Sequence, residues 1–310
     1  MTLMPDKTNQ PRYVIVSPVK DEAKHVRLTL DSVVNQTITP AKWVIVDDGS
    51  SDETPRILAD YAARYDWIEV VRIDRGAVRD LGVTEIRAFA EGYERVRNLP
   101  SDFVVKLDCD LDLPADYFER LFGEFEKDSR LGIASGVYLE NHDGQWLAVE
   151  MPDYHAAGAS KVVRKKCFDQ IDGFILYRGW DTVDEIKAQM RGWDTRHFPQ
   201  ITFRHLKREG SAMGSNRTNI FHGEIYYLTG GGVFFFLLKA LHRSLNGRPR
   251  VIAGLGMLWG YLRCQLTGRK RSVTREEARF YARLLNKRLL QRASGASTRS
   301  QVTQELPSHN

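Results

Sequence analysis

Hydrophobic and polar positions along the first third of the chain alternate between two periods. Short apolar runs rich in β-branched residues, at residues 13–16, 43–46, 68–73 and 103–107, read as buried strands. Between them Val26, Leu30, Val33 and Val34 recur at helical spacing, and residues 53–65 and 84–96 carry the same pattern. Strand and helix in strict alternation predict an α/β fold with a doubly wound, mostly parallel sheet. After Pro114 a further helical pattern begins at Ala115. Strands are then expected at residues 133–139 and 146–149 around a turn at 141–144, a strand with a short helix at 162–172, a helix opened by Gly179, and a strand at 198–205.

The pattern changes near residue 220. Two apolar runs, residues 225–238 and 251–262, are too short to cross a bilayer. Lys239, His242 and Arg243 follow the first, Arg248 and Arg250 precede the second, and Arg263 follows it. Short apolar segments with basic flanks predict a helical extension at the membrane interface, attracted to anionic lipid. Packing on the main domain, or a homo-oligomer contact, is the other use of such segments. Residues 274–292 read as a helix with the stripe Ala278, Tyr281, Leu285 and Leu289. The boundaries that follow are a loose leader at 1–11, a main domain at 12–219, the apolar and basic extension at 220–292, and a disordered tail at 293–310 rich in Ser, Thr and Gln.

Composition adds limits rather than a new picture. A chain of 310 residues, 42% hydrophobic and 27% charged, can bury a large core. Its net charge of +5 is unevenly placed, with Arg and Lys crowded into residues 239–292, which suggests an anionic partner. No nucleic-acid motif accompanies that charge, so nucleic acid is not expected. Three cysteines without a CxxC pair point to a reducing cytosol, and residues 1–12 lack the apolar core of a signal peptide. GxSxG, HExxH and P-loop motifs are missing from the sequence, which argues against the corresponding hydrolytic chemistries.

The candidate chemistry centres on KLDCDLDLP, residues 106–114, where a buried strand runs into acids. Asp108 and Asp110, one residue apart, point to one face and Cys109 to the other. Two carboxylates so close favour a hard divalent ion such as Mg²⁺ or Mn²⁺ between them, which could in turn hold a diphosphate. Asp21-Glu22 and Asp47-Asp48 also follow strands, and in a doubly wound sheet the three acidic segments converge at one edge. Arg79, in the loop at residues 74–82, is placed to approach a phosphate, as are Lys207 and Arg208 with the glycines that follow. Asp181, Asp184 and Glu185 open a helix, where acids also serve as caps, and any of them could act as general base toward a hydroxyl.

Taken in order, YVIVSPVKDEAKHVRLTLDSVVNQTITPAKWVIVDDGSSDET and the later KLDCDLDLP resemble the nucleotide-binding half of glycosyltransferase family 2, over roughly residues 12–215. The resemblance implies a GT-A fold and an inverting transferase that uses a nucleotide-diphosphate sugar and Mn²⁺ or Mg²⁺. It divides the main domain into a nucleotide-binding half, 12–114, and an acceptor half, 115–219. Pro18, Glu22 and Asp48 would line the nucleotide pocket, and Asp108 and Asp110 would be the family's Asp-x-Asp, the second the more direct metal ligand. His205 would complete the metal site, neutral imidazole being an acceptable ligand for Mn²⁺. Counting back from Gly192 puts Asp181 at the family's base, with Trp-Asp where relatives have Glu-Asp; Asp184 and Glu185 remain contenders. Lys20-Asp21 also departs from the family pattern and leaves the donor open. With the interfacial extension, the expected acceptor is a lipid-linked saccharide at the cytoplasmic face of the cell membrane. A sugar nucleotidyltransferase would want a glycine-rich first loop, which Ser17 to Glu22 is not, and a non-catalytic membrane scaffold is the reading from another class.

Overall fold

The computed structural model of the chain describes residues 10–73, 82–207, 215–247 and 249–293. Arg79 and Arg208, both expected near phosphate, lie outside these residues. The first half alternates as its pattern predicts: β1 (Tyr13–Val19), α1 (Val26–Val34), β2 (Lys42–Asp47), α2 (Thr54–Ala62), β3 (Ile68–Arg72), α3 (Thr84–Val96) and β4 (Phe103–Leu107). There follow β5 (Leu111–Asp112), α4 (Tyr117–Lys127), β6 (Leu131–His142), β7 (Gln145–Ala148), β8 (Ser160–Arg164), α5 (Lys165–Gln170), α6 (Trp180–Met190) and β9 (Asp194–His205). The chain closes with α7 (Ser215–Thr229), α8 (Val233–Asn246), α9 (Ile252–Leu266) and α10 (Arg275–Ala293).

The nine strands of the described residues form one sheet in the order β3-β2-β1-β4-β8-β6-β9-β5, with β7 hairpinned onto β6. Pairings β3·β2, β2·β1 and β1·β4 are parallel, whereas β8 runs antiparallel to both of its neighbours. The sheet is therefore parallel in its first half and mixed beyond β4, because β8 returns without a crossover helix. Val14, Val16, Val44 and Val46 face a core under α3 and α5, while Tyr13, Ile15, Trp43 and Ile45 face a second core under α1, α2 and α4. This two-sided burial explains why those strands are continuously apolar.

The C-terminal helices join the body rather than hanging from it. A third core brings Ile186 of α6 together with Tyr226, Phe236, Met257, Tyr261, Tyr281 and Leu285. The boundary expected at residues 219/220 falls inside α7, and the apolar run 225–238 is divided between α7 and α8 by the glycines at 230–232. Close approach of α7 and α9 depends on missing side chains: a Cβ on Gly260 would lie 2.0 Å from the Ile220 carbonyl oxygen, and one on Gly223 2.0 Å from that of Met257. In α10 the expected stripe is inward, with Ala278, Tyr281 and Leu285 buried.

The outward faces of α8 and α9 are a different matter. Phe234, Leu237, Leu241 and Leu245 on α8 are each more than half exposed. On α9 the exposed stripe Ile252, Leu255, Trp259, Leu262 and Leu266 repeats at three- and four-residue intervals. Among the described residues no helix is long and apolar enough to cross a membrane.

Candidate active site

The strand order makes β1 the neighbour of both β2 and β4, so the loops after these three strands meet at one edge of the sheet. The loop after β2 is braced by its own first acid: Asp47 accepts from the Ser50 N–H at 2.8 Å and pairs with Arg72 at 3.0 Å. Asp52 accepts from the first N–H of α2 at 2.9 Å and from the Ala23 N–H at 3.0 Å, so it joins the helix start to the loop after β1. Asp48 is left facing inward, with a buried Oδ1 that has no partner among the described residues. Such an atom implies a ligand donor, since buried carboxylate oxygens are normally satisfied.

Asp108 and Asp110 follow β4, and the turn between them sends Cys109 into the core. Their surroundings differ. Asp108 Oδ1 lies 2.5 Å from the buried ammonium of Lys106; burial opposes the lysine's charge, but Asp108, Glu85 and Asp110 together outweigh it and raise its pKa. Asp110 is drawn to His205: β5 pairs with β9 so that Leu111 stands opposite His205, and His205 Nε2 comes within 3.4 Å of Asp110 Oδ1. Burial opposes both charges here, but their attraction outweighs it, lowering Asp110 and raising His205. His205 Nδ1 is buried without a partner among the described residues. Lys207, just past β9, reaches back to pair with Glu22.

Asp110 and His205 supply an oxygen and a nitrogen donor on one wall, a set that suits Mn²⁺ or Mg²⁺ when substrate phosphates complete the shell. Asp108 is engaged by Lys106, and among the described residues no group of three His, Cys, Asp or Glu side chains is placed to hold an ion alone. The donor set fits a metal shared with a diphosphate better than a resident structural ion.

The opposite wall begins with α6. Gly179, at φ +82°, admits the left-handed turn that starts the helix, and a Cβ there would press 2.7 Å from a Thr229 methyl. Lys106 and Lys161 stand opposite each other across β4·β8, and each ammonium lies 5.3 Å from the centre of the Trp180 ring. Lys161 donates to the Asp181 carbonyl at 2.8 Å and to Asp184 at 2.9 Å. Burial opposes its charge, but Asp184 and Glu185 outweigh burial and raise its pKa.

The three candidate bases thus separate. Asp184 is fully buried against Lys161 of β8 and does not reach the cleft. Glu185 borders the cleft but accepts from the Ala156 N–H at 2.8 Å and pairs with His155 at 3.0 Å. Burial would raise its pKa, yet His155 and Lys161 outweigh that and lower it. Asp181 lines the cleft, and among the described residues no cation pairs with its carboxylate.

Pro18, Glu22, Asp48, Asp108, Asp110, Asp181, Glu185 and His205 all border one cleft of about 840 Å³. Sequence reasoning missed Lys161 and His155, and it missed that α7, α8 and α10 close the far side with His222, Tyr226, Lys239, Arg243 and Tyr281. The available signal was a charged residue inside an otherwise apolar strand at Lys106, and a lysine beside the buried pair Val162 and Val163 at Lys161.

A parallel first half, a mixed second half and acids at the ends of β1, β2 and β4 define the GT-A class of glycosyltransferase fold. The family model described as glycosyl transferase family 2 matches residues 14–179, more than half of the chain, and the chain belongs to that family. It is 29% identical over 133 residues to chondroitin synthase of Escherichia coli, covering 43% of this chain but only 18% of that protein. Two solved structures share the fold. One is a mannosyltransferase of Pyrobaculum calidifontis in complex with GDP-Man and Mn²⁺, with TM-score 0.53 and 16% identity over 93% of this chain and 83% of that one. The other is S. aureus TarS 1–349 in complex with UDP-GlcNAc, with TM-score 0.52 and 17% identity over 87% of this chain and 78% of that one.

Proposed function

We propose that this chain is a metal-dependent inverting glycosyltransferase that moves a sugar from a nucleotide-diphosphate donor to a saccharide hydroxyl. What carries the reading is one cleft with strand-end acids on one wall and, on the other, Asp181 as the candidate base, whose carboxylate forms no ion pair among the described residues. Pro18, Glu22 and Asp48 would take the nucleotide, Asp108 the donor beside the Lys106 ammonium, and Asp110 with His205 the metal. A divalent ion there supplies charge neutralisation for the departing diphosphate. Asp181 takes the acceptor hydroxyl's proton as that oxygen bonds to the anomeric carbon. The bond from that carbon to the β-phosphate oxygen breaks, and its electron pair leaves with the diphosphate. A single displacement with the base opposite the leaving group inverts the centre. GDP-Man and UDP-GlcNAc in the two neighbours support the donor class and leave its base open.

Calorimetry with a panel of nucleotide sugars tests the donor site. One nucleotide class should bind with Mn²⁺, and Asp110→Ala should weaken that binding by at least about tenfold, since few protein ligands share the ion. A folded chain that bound none of the panel with or without Mn²⁺ would remove the basis for the transferase assignment.

The reading extends to the acceptor, a lipid-linked saccharide in glycan assembly, met at the inner face of the cell membrane. Support comes from the apolar faces of α8 and α9, wider than the scattered exposure of a soluble surface, and from Arg250, Arg263, Lys270 and Arg271 around them. Replacing Leu255 and Trp259 by Glu should reduce flotation with anionic liposomes by at least about tenfold, from lost apolar burial. Unchanged flotation, or a dimer dispersed by the same replacements, would assign the face to something other than lipid.

A further inference from the structure

Helix α8 presents two cations to the cleft one turn apart, Lys239 and Arg243, and α7 presents His222 to the same space. Among the described residues neither cation meets a carboxylate. Arg243 Nε donates to the Asn219 side-chain oxygen at 3.2 Å, and the Lys239 ammonium lies 5.7 Å from the centre of the Tyr226 ring. Like charges at this spacing repel on a helix surface, and the walls of a cleft strengthen the field they share. Both remain open to solvent within the concavity, so an incoming anion can reach them.

The strain appears in the titration of the groups themselves. The surrounding protein first, and Arg243 next, hold Lys239 below the usual lysine range. The protein walls of the cleft, then Lys239 and Arg243, push His222 down to about 4. At neutral pH His222 is therefore an uncharged N–H donor beside two cations.

Position in the cleft separates this group from the donor end. Helix α7 packs on the start of α6, where a Cβ on Gly179 would lie 3.6 Å from an Ile225 methyl, one turn along from His222, whereas Asp110 stands with His205 on the other wall. The cations therefore accompany the candidate base. A carboxylate would be satisfied by one arginine fork, while two cations and an imidazole on two helices match the higher charge and tetrahedral oxygens of a phosphate.

We propose that Lys239, Arg243 and His222 form a phosphate subsite for the acceptor, so that the hydroxyl attacked beside Asp181 belongs to a saccharide bearing a phosphate or diphosphate close to that hydroxyl. The proposal rests on the glycosyltransferase reading and adds the acceptor's chemical class. The phosphate can come from a lipid-linked sugar or from a soluble sugar phosphate.

The full chain, saturated with Mn²⁺ and the nucleotide diphosphate it binds, is titrated with undecyl phosphate in neutral micelles, with glucose 1-phosphate, and with methyl glucoside as uncharged control. At least one phosphate probe should bind and methyl glucoside should not. The K239M/R243M double variant should weaken phosphate binding by at least about tenfold, K239R/R243M should recover part of it, and nucleotide affinity should stay unchanged. Preference for undecyl phosphate would identify the lipid source, and preference for glucose 1-phosphate the soluble one. Equal phosphate binding by wild type and K239M/R243M, or none by a wild type that still binds nucleotide, would overturn the subsite and leave the transferase reading standing. A wild type that bound neither would overturn both.

Discussion

Asp181→Asn is expected to lower kcat by about 10²- to 10⁴-fold while nucleotide-sugar affinity stays near wild type. The change keeps size and hydrogen-bonding shape and removes only the capacity to accept a proton. Its rivals are unsuited for different reasons. Asp184 is enclosed with Lys161 away from the cleft, and the Glu185 carboxylate is already held by His155, Lys161 and the Ala156 N–H. A base whose charge is satisfied several times over takes a proton poorly. Steady-state kinetics and calorimetry on the same preparation test this. A kcat within about threefold of wild type would transfer the role elsewhere, since base removal should cost far more.

Lys161→Met should cost about 3–5 kcal/mol of stability, read from urea unfolding, because it leaves the buried Asp184 carboxylate without its cation and Glu185 with His155 alone. Lys161, Asp184 and Glu185 are all essentially inaccessible to water. Adding Asp184→Asn should recover part of the loss, since the neutral amide no longer needs a counter-charge. The single change should also lower kcat, because Lys161 holds the Asp181 carbonyl and so fixes the turn that directs the side chain. Unfolding within about 1 kcal/mol of wild type would mean that the site tolerates unpaired acids or protonates them.

Much of this was legible before any tertiary structure. Strands of the parallel half announced themselves because burial on both faces requires continuous apolar runs, and the helix at residues 84–96 has the bounds its periodicity predicts. The acids at Asp48, Asp108 and Asp110 were findable because each ends such a strand, where a doubly wound sheet gathers its loops. The separation of Asp184 from Asp181 and Glu185 was not legible. All three sit in one helical turn, and only the packing of α6 on β8 decides which faces water and which faces Lys161.

The sequence by itself determined the alternating strands and helices, the acids at the strand ends and the family, since these depend on local periodicity and short motifs. The resemblance had named His205 with Asp110, but only the tertiary structure shows what brings them together, the pairing of β5 with β9 across some ninety residues. It likewise decided that the basic residues after 220 face a cleft as well as solvent. A run of apolar and basic residues records that a helix has an inner and an outer side, but the partner of each side is chosen by contacts far away in sequence.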